Sequence, residues 1–494
     1  MSEVQPLSGN WLSERTHLRT SLRRVDVTFY LLCTLVGLDT IGSVAANGPQ
    51  GLVWMVILAV VFFLPYGFLT TELGTAFPVE GGPYVWTKLA FGRLAAGVNQ
   101  VLYWLSNPLW NGGTLAIIAL TTFEKFFLPL GLAGKHVAGL AFIWTGVLTV
   151  AASLRIGKWV PIAGAVARIV LLGFFTVSVV VYAVKNGVQP LSGGDFVPTW
   201  AGFVALVPVL IFNYVGFELP SAATEEMNDP QRTVPFAILR AGVASFLLYG
   251  GPILGILLVV PASRIQGLGG FIDAAKQVLT VYGGSVAEDG TVTLTGAGAV
   301  LGSVCAAGLI IGVLTSGVSW EIGAHRAQAV ACADGAGPAY LGRISPRLGT
   351  PLRVNVLSGL LASVVLVTAL NLTDGDSEKY FTAGLALVIS TTFISYLLIF
   401  PSMLVLRRRL PEVARPFRAP FAVLTTVLTT GLVAFTVVVL IWPVKLPSAF
   451  DGERTAYTLS QVVPLLIVIG IGLLFYALGA PTRASDREFT STSA

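Results

Sequence analysis

The sequence is built from long apolar segments, each close in length to a helix that crosses a membrane. Twelve such segments follow one another, with short polar connections between them. About 20 mostly apolar residues in an α-helix span the hydrocarbon core of a bilayer, and a spanning segment must satisfy its backbone groups internally. The pattern therefore predicts an all-α membrane protein with twelve transmembrane helices. The predicted helices cover residues 27–48, 52–73, 94–121, 136–153, 160–184, 200–224, 236–260, 296–324, 353–371, 380–405, 420–443 and 459–479.

Composition supports this class and argues against others. Of the 494 residues, 54% are hydrophobic and 11% are charged, whereas a soluble domain carries about 25% charged residues. The net charge of +5 arises in the short connections, so we expect a lipid bilayer, and no nucleic acid, as partner. Cys33, Cys305 and Cys332 lack metal-ligand spacing. We predict no enzyme activity, no cofactor and no metal centre.

The positive charges indicate which side of the membrane each connection faces. With a cytoplasmic N-terminus, 21 of the 30 lysines and arginines fall in cytoplasmic segments. Cytoplasmic connections of membrane proteins are enriched in these residues. We therefore predict a multi-pass protein of the cell membrane with cytoplasmic tails at residues 1–25 and 481–494. The sequence carries no indication of the oligomeric state.

The first apolar segment is interrupted by small and polar residues near the middle of the membrane. These residues are Gly37, Asp39, Thr40, Gly42 and Ser43. Glycine allows a helix to open, and a carboxylate at this depth must face protein or water. The same order of glycine, apolar residue and acid recurs in the sixth segment.

The sixth segment contains the second interruption. Its residues are Asn213, Tyr214, Gly216, Phe217 and Glu218. Two interrupted helices, each with an acid at mid-depth, are typical of a transporter whose substrate site lies at the midplane. We predict that residues of both interruptions bind the substrate.

An opened helix exposes backbone groups that can hold a substrate. The N-terminal end of the following half-helix suits a carboxylate, which makes Gly42, Ser43 and Val44 a candidate cradle. Carbonyl groups at the end of the preceding half-helix suit an ammonium group. Trp104 and Asn107 lie near helical spacing in the third segment and are predicted to border the site.

Three buried ionisable residues are candidates for coupling transport to an ion. Arg168 lies about ten residues into the fifth segment, about 15 Å deep at ~1.5 Å per residue, and arginine stays protonated. It is predicted to be a fixed cation, with pairing to a buried acid as the alternative. Glu218 and Glu321 are candidates for carrying a proton.

Four stretches resemble the amino acid–polyamine–organocation transporter superfamily. They are residues 77–86 (FPVEGGPYVW) with 90–92; 216–218 (GFE) with 225–230 (EEMNDP) and 232–235; 325–326 with 333–335, 338 and 350–351; and 404–409 with 411, 415–418 and 420. The stretches occur in the order found in that superfamily and extend over nearly the whole chain.

The resemblance implies a LeuT-like fold, in which two inverted repeats of five helices contain the discontinuous helices 1 and 6. The repeats would cover residues 26–187 and 198–406, and two additional C-terminal helices would cover residues 419–480. Members often carry Gly-Ser-Gly or Gly-Ala-Gly at the first break, whereas this sequence has Gly42-Ser43-Val44. The departure points away from an ordinary α-amino acid, and Asp39 would instead meet an ammonium group.

Together these features predict a secondary active transporter of amino acids or related amines that works by alternating access. Proton symport and substrate exchange both stay open. A sodium-coupled symporter is one alternative, because Thr315, Ser316 and Ser319 lie on the segment where relatives of this fold bind sodium. Arg168 would occupy that position, as a lysine does in some members. A substrate sensor on the carrier fold is the alternative from another class.

Overall fold

Helices make up most of the computed structural model, and each predicted apolar segment contains helix. The structure describes residues 7, 9–17, 22–152, 159–261, 265, 269–288, 290–372, 377–444, 446, 450 and 452–484, with backbone alone for residues 9–10, 372 and 377–380.

The first half of the chain forms α1 to α10. In chain order these are α1 (Gly9–Glu14), α2 (Arg24–Leu35), α3 (Ile41–Ala45), α4 (Gln50–Leu58), α5 (Leu64–Ala76), α6 (Pro83–Phe91), α7 (Arg93–Trp110), α8 (Ala116–Phe126), α9 (Leu132–Ala151) and α10 (Trp159–Asn186). Two π-helical turns, Ala59–Phe63 and Asn111–Leu115, join α4 to α5 and α7 to α8. A π-turn inserts into a helix without ending it, so each pair forms one rod.

The second half of the chain forms α11 to α18 and one small hairpin. In chain order these are α11 (Trp200–Tyr214), α12 (Pro230–Val259), α13 (Gly270–Leu279), β1 (Gly284–Val286), β2 (Val292–Leu294), α14 (Gly296–Ala331), α15 (Leu352–Leu372), α16 (Ser377–Arg409), α17 (Ala422–Ile441) and α18 (Arg454–Leu478). A 3₁₀ helix, Leu219–Glu226, follows α11, and a π-turn, Cys332–Ala336, follows α14. Short 3₁₀ turns lie at Arg15–His17, Gly193–Phe196, Thr280–Tyr282 and Ala339–Gly342.

Ten helical rods of the described chain are long and apolar enough to cross a membrane. They are Gln50–Ala76, Leu132–Ala151, Trp159–Asn186, Trp200–Glu226, Pro230–Val259, Gly296–Ala336, Leu352–Asn371, Phe381–Arg409, Ala422–Ile441 and Arg454–Leu478. The two further predicted spans coincide with α2–α3, which is broken, and with α7–α8, which is more polar. The structure therefore establishes a multi-pass helical protein.

Some helices extend beyond their predicted ends because polar residues there have partners. The helix predicted over 296–324 continues to Ala331, since Arg326 pairs with Glu226 (2.8 Å) and the His325 ring contacts Asn355 (2.9 Å). The helix predicted from residue 236 begins instead at Pro230. Proline suits the first helical position, and the preceding aspartate caps the helix.

The connection between α12 and α14 contains the two elements that the sequence predicts. The predicted amphipathic helix is α13, and the predicted hairpin pairs β1 with β2 in antiparallel register, with Ser285 opposite Thr293. Asp289, the first residue of the predicted turn, lies outside the described residues. Gly270 of α13 packs on Gly42 of α3, where an added Cβ would lie 3.2 Å from the Gly42 Cα. The connection thus covers the second half of the first broken helix.

Part of the predicted N-terminal tail is packed on the bundle. Trp11 of α1 is buried, and the Ile344 amide donates to the Glu14 carboxylate (2.8 Å). The Leu22 amide donates to the Glu226 carbonyl (2.9 Å). We call the end of the bundle at which α2 begins the N-terminal face.

Candidate functional site at the two helix breaks

The first break separates α2 from α3 at residues 36–40. A tyrosine from α12 holds it open: the Tyr249 hydroxyl donates to the Leu35 carbonyl (2.8 Å) and accepts from the Gly37 amide (2.7 Å). The Gly37 amide also donates to the Leu35 carbonyl (3.2 Å), in a tight turn that replaces the helical hydrogen bonds lost at the break. One hydroxyl therefore satisfies a donor and an acceptor released by the break.

The second break separates α11 from the following 3₁₀ helix at residues 215–218. Gly216 has a φ of 130°, a conformation that favours glycine. A tyrosine, this time from α5, again satisfies the free backbone. The Tyr66 hydroxyl accepts from the Gly216 amide (3.0 Å) and the Phe217 amide (2.9 Å), and it donates to the Glu218 carboxylate.

A small cavity lies beside the first break, which we call the central cavity. It encloses about 230 Å³ of space between atoms. Its walls come from both broken helices and from α7, α12 and α14. The lining residues are Thr34, Leu35, Gly37, Asp39, Trp110, Phe212, Asn213, Tyr249 and Trp320.

Aromatic rings form much of the wall of the central cavity. The Trp110 ring centroid lies 6.0 Å from Phe212 and 6.0 Å from Trp320, and both pairs meet nearly edge to face. The Trp320 indole also donates to the Thr34 carbonyl (3.2 Å), which fixes its ring against α2. Faces of aromatic rings attract cations, so such a wall suits an ammonium group.

Asp39 places a carboxylate with one unused oxygen in this cavity. The side chain is buried, and its Oδ2 accepts from the Trp110 indole (3.0 Å). Among the described residues, Asp39 Oδ1 and the neighbouring Asn213 Oδ1 have no hydrogen-bond partner. Buried polar atoms are nearly always paired in native proteins. The two acceptors therefore leave a position for a ligand that donates hydrogen bonds.

Glu218 has a different environment, which we call the tyrosine cage. Its buried carboxylate accepts from Tyr66 of α5, from Tyr103 of α7 (2.7 Å) and from Tyr396 of α16 (2.7 Å). Both oxygens are satisfied, and Glu218 does not line the central cavity. The cage ties the second break to three other helices.

Arg168 is buried between α10, α2 and α14. Its guanidinium donates to the carbonyls of Val36 (2.8 Å) and Gly312 (2.6 Å), to the Thr315 hydroxyl (3.0 Å) and to the Ser316 hydroxyl. In the described part of the chain, no carboxylate lies within ion-pairing distance of it. Carbonyl and hydroxyl dipoles therefore surround this cation, and one of them belongs to the first break.

Glu321 lies beside the cavity residue Trp320 on α14. Its Oε1 accepts from the Asn111 amide (2.7 Å), and both side chains are buried. Asn111 begins the π-turn between α7 and α8, which directs it toward α14. Ser319 instead bonds the Thr315 carbonyl of its own helix (2.8 Å).

The structure brings only some of the predicted binding residues to the cavity. Gly37, Asp39 and Asn213 line it, and Thr40 follows directly, with its hydroxyl 3.5 Å from the Gly37 carbonyl. Gly42, Ser43 and Val44 lie in the first turn of α3. The remaining predicted residues outside the lining are Gly216, Glu218, Trp104, Asn107, Tyr214 and Phe217.

Four of these residues have other partners. The Trp104 indole donates to Ser358 (2.8 Å), on the far side of α7 from the cavity residue Trp110. The Asn107 amide bonds the Tyr103 carbonyl of its own helix (3.2 Å). The Tyr214 hydroxyl donates to the Met55 carbonyl (2.7 Å), and the Phe217 ring stacks on Phe63 (4.7 Å).

Several site residues were missed by the sequence prediction. Tyr249, Trp320, Tyr66 and Tyr396 approach the breaks from helices distant in the chain. A local signal exists for Tyr249, which directly precedes a Gly-Gly-Pro stretch inside an apolar run. Trp320 stands next to Glu321 in the most polar part of its span.

A buried charge cluster closes the N-terminal face below the breaks. Arg326 pairs with Glu226 (2.8 Å) and approaches Glu80 (3.7 Å). Burial and the neighbouring Glu226 raise the pKa of Glu80 well above its usual range, while Arg326 opposes the rise. Nearby, Arg407 and Arg415 pair with Glu72.

Helices broken within their apolar spans, with an aromatic cavity that contains a buried carboxylate beside the first break, are typical of a membrane transporter. Comparison with known proteins agrees, because residues 22–473 match the amino acid permease family. The chain belongs to this family, whose members are transporters and not enzymes.

Curated relatives cover nearly the whole chain. The probable agmatine/putrescine antiporter of Lactococcus lactis is 25% identical over 90% of this chain and 92% of its own length. The branched-chain amino acid permease of Bacillus subtilis is 23% identical over 84% and 87%.

A solved structure shares the fold. The crystal structure of a manganese transporter mutant from Eremococcus coleocola superposes with a TM-score of 0.58 at 13% identity, covering 92% of this chain and 94% of the other. A likeness at this identity establishes the fold and nothing about the substrate.

Proposed function

We propose that this transporter carries small amines and binds their ammonium group at Asp39. The observation that carries the proposal is the unused Oδ1 of this buried carboxylate, which faces the central cavity. A charge-assisted hydrogen bond to it contributes about 1.5–3 kcal/mol. Trp110, Phe212 and Trp320 would surround the cation with rings. The relative named as an agmatine/putrescine antiporter supports the same substrate class.

We further propose that the chain works by alternating access with twelve spans arranged as two inverted repeats of five and two further helices. The tyrosines support this arrangement. The first break is held by Tyr249 of the seventh predicted span, and the second by Tyr66 of the second predicted span. An inverted repeat relates span 1 to span 6 and span 2 to span 7, so each break receives its tyrosine from the opposite repeat. Both termini would face the cytoplasm.

We propose substrate exchange as the mode of transport, with Arg168 in the place of a coupling ion. The hydroxyls of Thr315 and Ser316, which a sodium ion would need, contact the guanidinium. An arginine does not release its proton at physiological pH, and its burial among six hydrogen-bonded atoms keeps it in place. The carrier would therefore complete its cycle only with substrate bound.

Proton symport is the second candidate, and Glu321 favours it. This buried acid has a neutral amide partner, Asn111, and no ion pair among the described residues. Such a group is able to gain or lose a proton during the cycle. Glu218 is the other candidate, although its cage would have to open first.

Uptake by proteoliposomes tests the proposal. Labelled agmatine, putrescine and branched-chain amino acids are offered to liposomes that are empty or preloaded with unlabelled amine. Exchange predicts uptake that depends on preloading and is insensitive to sodium. Uptake into empty liposomes that follows an imposed pH gradient would support proton symport. Transport of amino acids without any amine transport would contradict the role of Asp39.

A further inference from the structure

A long apolar groove opens on the outer surface of the bundle between α5 and α12, and we call it the lipid groove. It encloses about 1190 Å³. One wall carries Val60, which is 62% exposed, and the other carries Leu239 (65%) and Leu247 (66%). In a membrane-spanning bundle these exposed side chains face lipid. The groove is thus separate from the central cavity and open to the bilayer.

Two glycines make the groove deep, and its floor is the second break. A Cβ at Gly67 would lie 3.4 Å from the Phe217 ring, and a Cβ at Gly242 would lie 3.3 Å from it. The Phe217 ring lies directly beneath these two glycines, where it lines the groove although it is almost completely buried. The Phe217 amide is in turn held by Tyr66, which also contacts Glu218. An occupant of the groove would therefore press on the side chain of a residue whose backbone is bound by the tyrosine cage.

The length of the groove matches one leaflet. Its α12 wall runs from Pro235 to Leu247, which is about 18 Å at ~1.5 Å per residue. Half of a hydrocarbon core is about 15 Å. A single acyl chain fits along this wall, and it would pass Phe217, which lies against Gly242, before it ends near Leu247.

Arginines lie at the outer end of the groove. Phe417 lines that end together with Pro235, and the next residue, Arg418, is exposed. Arg240 follows Leu239 and places its guanidinium 3.6 Å from the Phe236 ring centroid. Stacking on the residue four positions earlier points it back toward the start of α12. Guanidinium groups bind phosphate oxygens well, and near a membrane surface they select anionic lipids.

We propose that the lipid groove binds one acyl chain of an anionic phospholipid, with the phosphate at Arg240 and Arg418 and the chain passing over Phe217. Occupancy of the groove supports the second break and thereby raises the transport rate. The lipid-binding proposal does not depend on the proposed function, whereas the proposed effect on transport rate rests on it.

Cross-linking tests the binding. The purified full-length protein is reconstituted with phosphatidylglycerol that carries a diazirine at the end of one acyl chain, or with phosphatidylcholine that carries the same chain. We expect phosphatidylglycerol to label α5 and α12 peptides at least fivefold more strongly. Val243→Trp, which fills the groove from its rim, should reduce this labelling at least fivefold.

Two variants make this test specific. Val180→Trp on α10 is the matched control, because Val180 and Val243 are 60% and 58% exposed and both face lipid; it should leave labelling unchanged. The double variant Arg240→Gln, Arg418→Gln should abolish the preference for phosphatidylglycerol. Even labelling along all lipid-facing helices, or labelling unaffected by Val243→Trp, would overturn the site.

Transport rates test the kinetic part. Amine exchange by the unaltered protein should be at least threefold faster with phosphatidylglycerol than with phosphatidylcholine alone, and Val243→Trp should remove this difference. Equal rates in both lipids, with labelling intact, would refute the regulatory role and keep the lipid site. Absence of any amine transport, with labelling intact, would refute the proposed function instead.

Discussion

The two helix breaks share one sequence pattern, but the acids at the two breaks differ in their hydrogen bonding. Each has glycine, an apolar residue and an acid, and each is held by a tyrosine hydroxyl. At the first break Asp39 keeps one oxygen free inside an aromatic cavity. At the second, three tyrosine hydroxyls satisfy Glu218 completely.

The difference in hydrogen bonding predicts different roles for Asp39 and Glu218. A carboxylate with a free oxygen is prepared for a ligand, because binding supplies a hydrogen bond that folding has left unmade. A carboxylate inside a complete network stabilises one arrangement of the helices around it. We therefore expect substitutions at Asp39 to change affinity, and substitutions at Glu218 to change stability and turnover.

The largest expected effect is that of Asp39→Asn. The substitution keeps the shape and removes the charge, so the dissociation constant for the amine should rise about 100-fold, equivalent to a loss of about 3 kcal/mol. Thermal stability should stay the same or increase, since no partly satisfied charge remains buried. Radioligand binding and thermal unfolding of the purified variant measure both quantities. Unchanged affinity would falsify the assignment of Asp39.

Glu218→Gln should give the reverse pattern. The Tyr66 hydroxyl already accepts from two backbone amides, so it cannot also accept from the glutamine amide. At least one buried polar group loses its partner, which costs about 1–3 kcal/mol of stability. Amine affinity should change less than threefold, while the rate of exchange changes. A Glu218→Gln variant that loses amine binding without losing stability would show that the two acids share one task.

The two tyrosines provide a finer test of the same comparison. Tyr249→Phe and Tyr66→Phe each remove one hydroxyl that bonds the backbone of a break. Both should lower stability by about 1–2 kcal/mol. Only Tyr249 lines the central cavity, so only its substitution should weaken amine binding, by about tenfold. Equal losses of affinity in both variants would contradict the separation of the breaks.

The smallest expected effect concerns the charge cluster that follows the second break. Because burial raises the pKa of Glu80, the folded state favours its protonated form. The stability that protonated Glu80 contributes is fully present below the ordinary pKa of a glutamate, about 4.3. It is lost as pH rises through the raised pKa of Glu80 in the folded protein. Glu80→Gln should therefore flatten the decline of the unfolding temperature between pH 5 and pH 9. An identical decline in both proteins would exclude Glu80 as its source.

Local sequence features were enough to locate the helices and both breaks. Long apolar runs predict the helices, and the order glycine, apolar residue and acid inside such a run marks both breaks. The state of each acid depends on contacts that no local pattern records. Tyr66, Tyr103 and Tyr396 reach Glu218 across 152, 115 and 178 residues of chain.

The two tryptophans of α7 show how much of the cavity lining could be predicted from the sequence. Trp104 and Trp110 are six positions apart, which at about 100° per residue places them on different faces of one helix. Only one of them could line a cavity on a given side. In the structure it is Trp110 that lines the cavity and contacts Asp39. The sequence alone does not distinguish Trp110 from Trp104.

The proposed role of Arg168 as a fixed cation has a consequence for the energy source of transport. A carrier whose counter-cation never leaves cannot draw work from that ion's gradient, so it can concentrate one solute only while another flows down its own gradient. The direction of net exchange then depends on the charges of the two amines. When the incoming amine carries one more positive charge than the outgoing one, a membrane potential of 100 mV contributes about 2.3 kcal/mol per cycle. At equilibrium this corresponds to about a 40-fold ratio of concentrations.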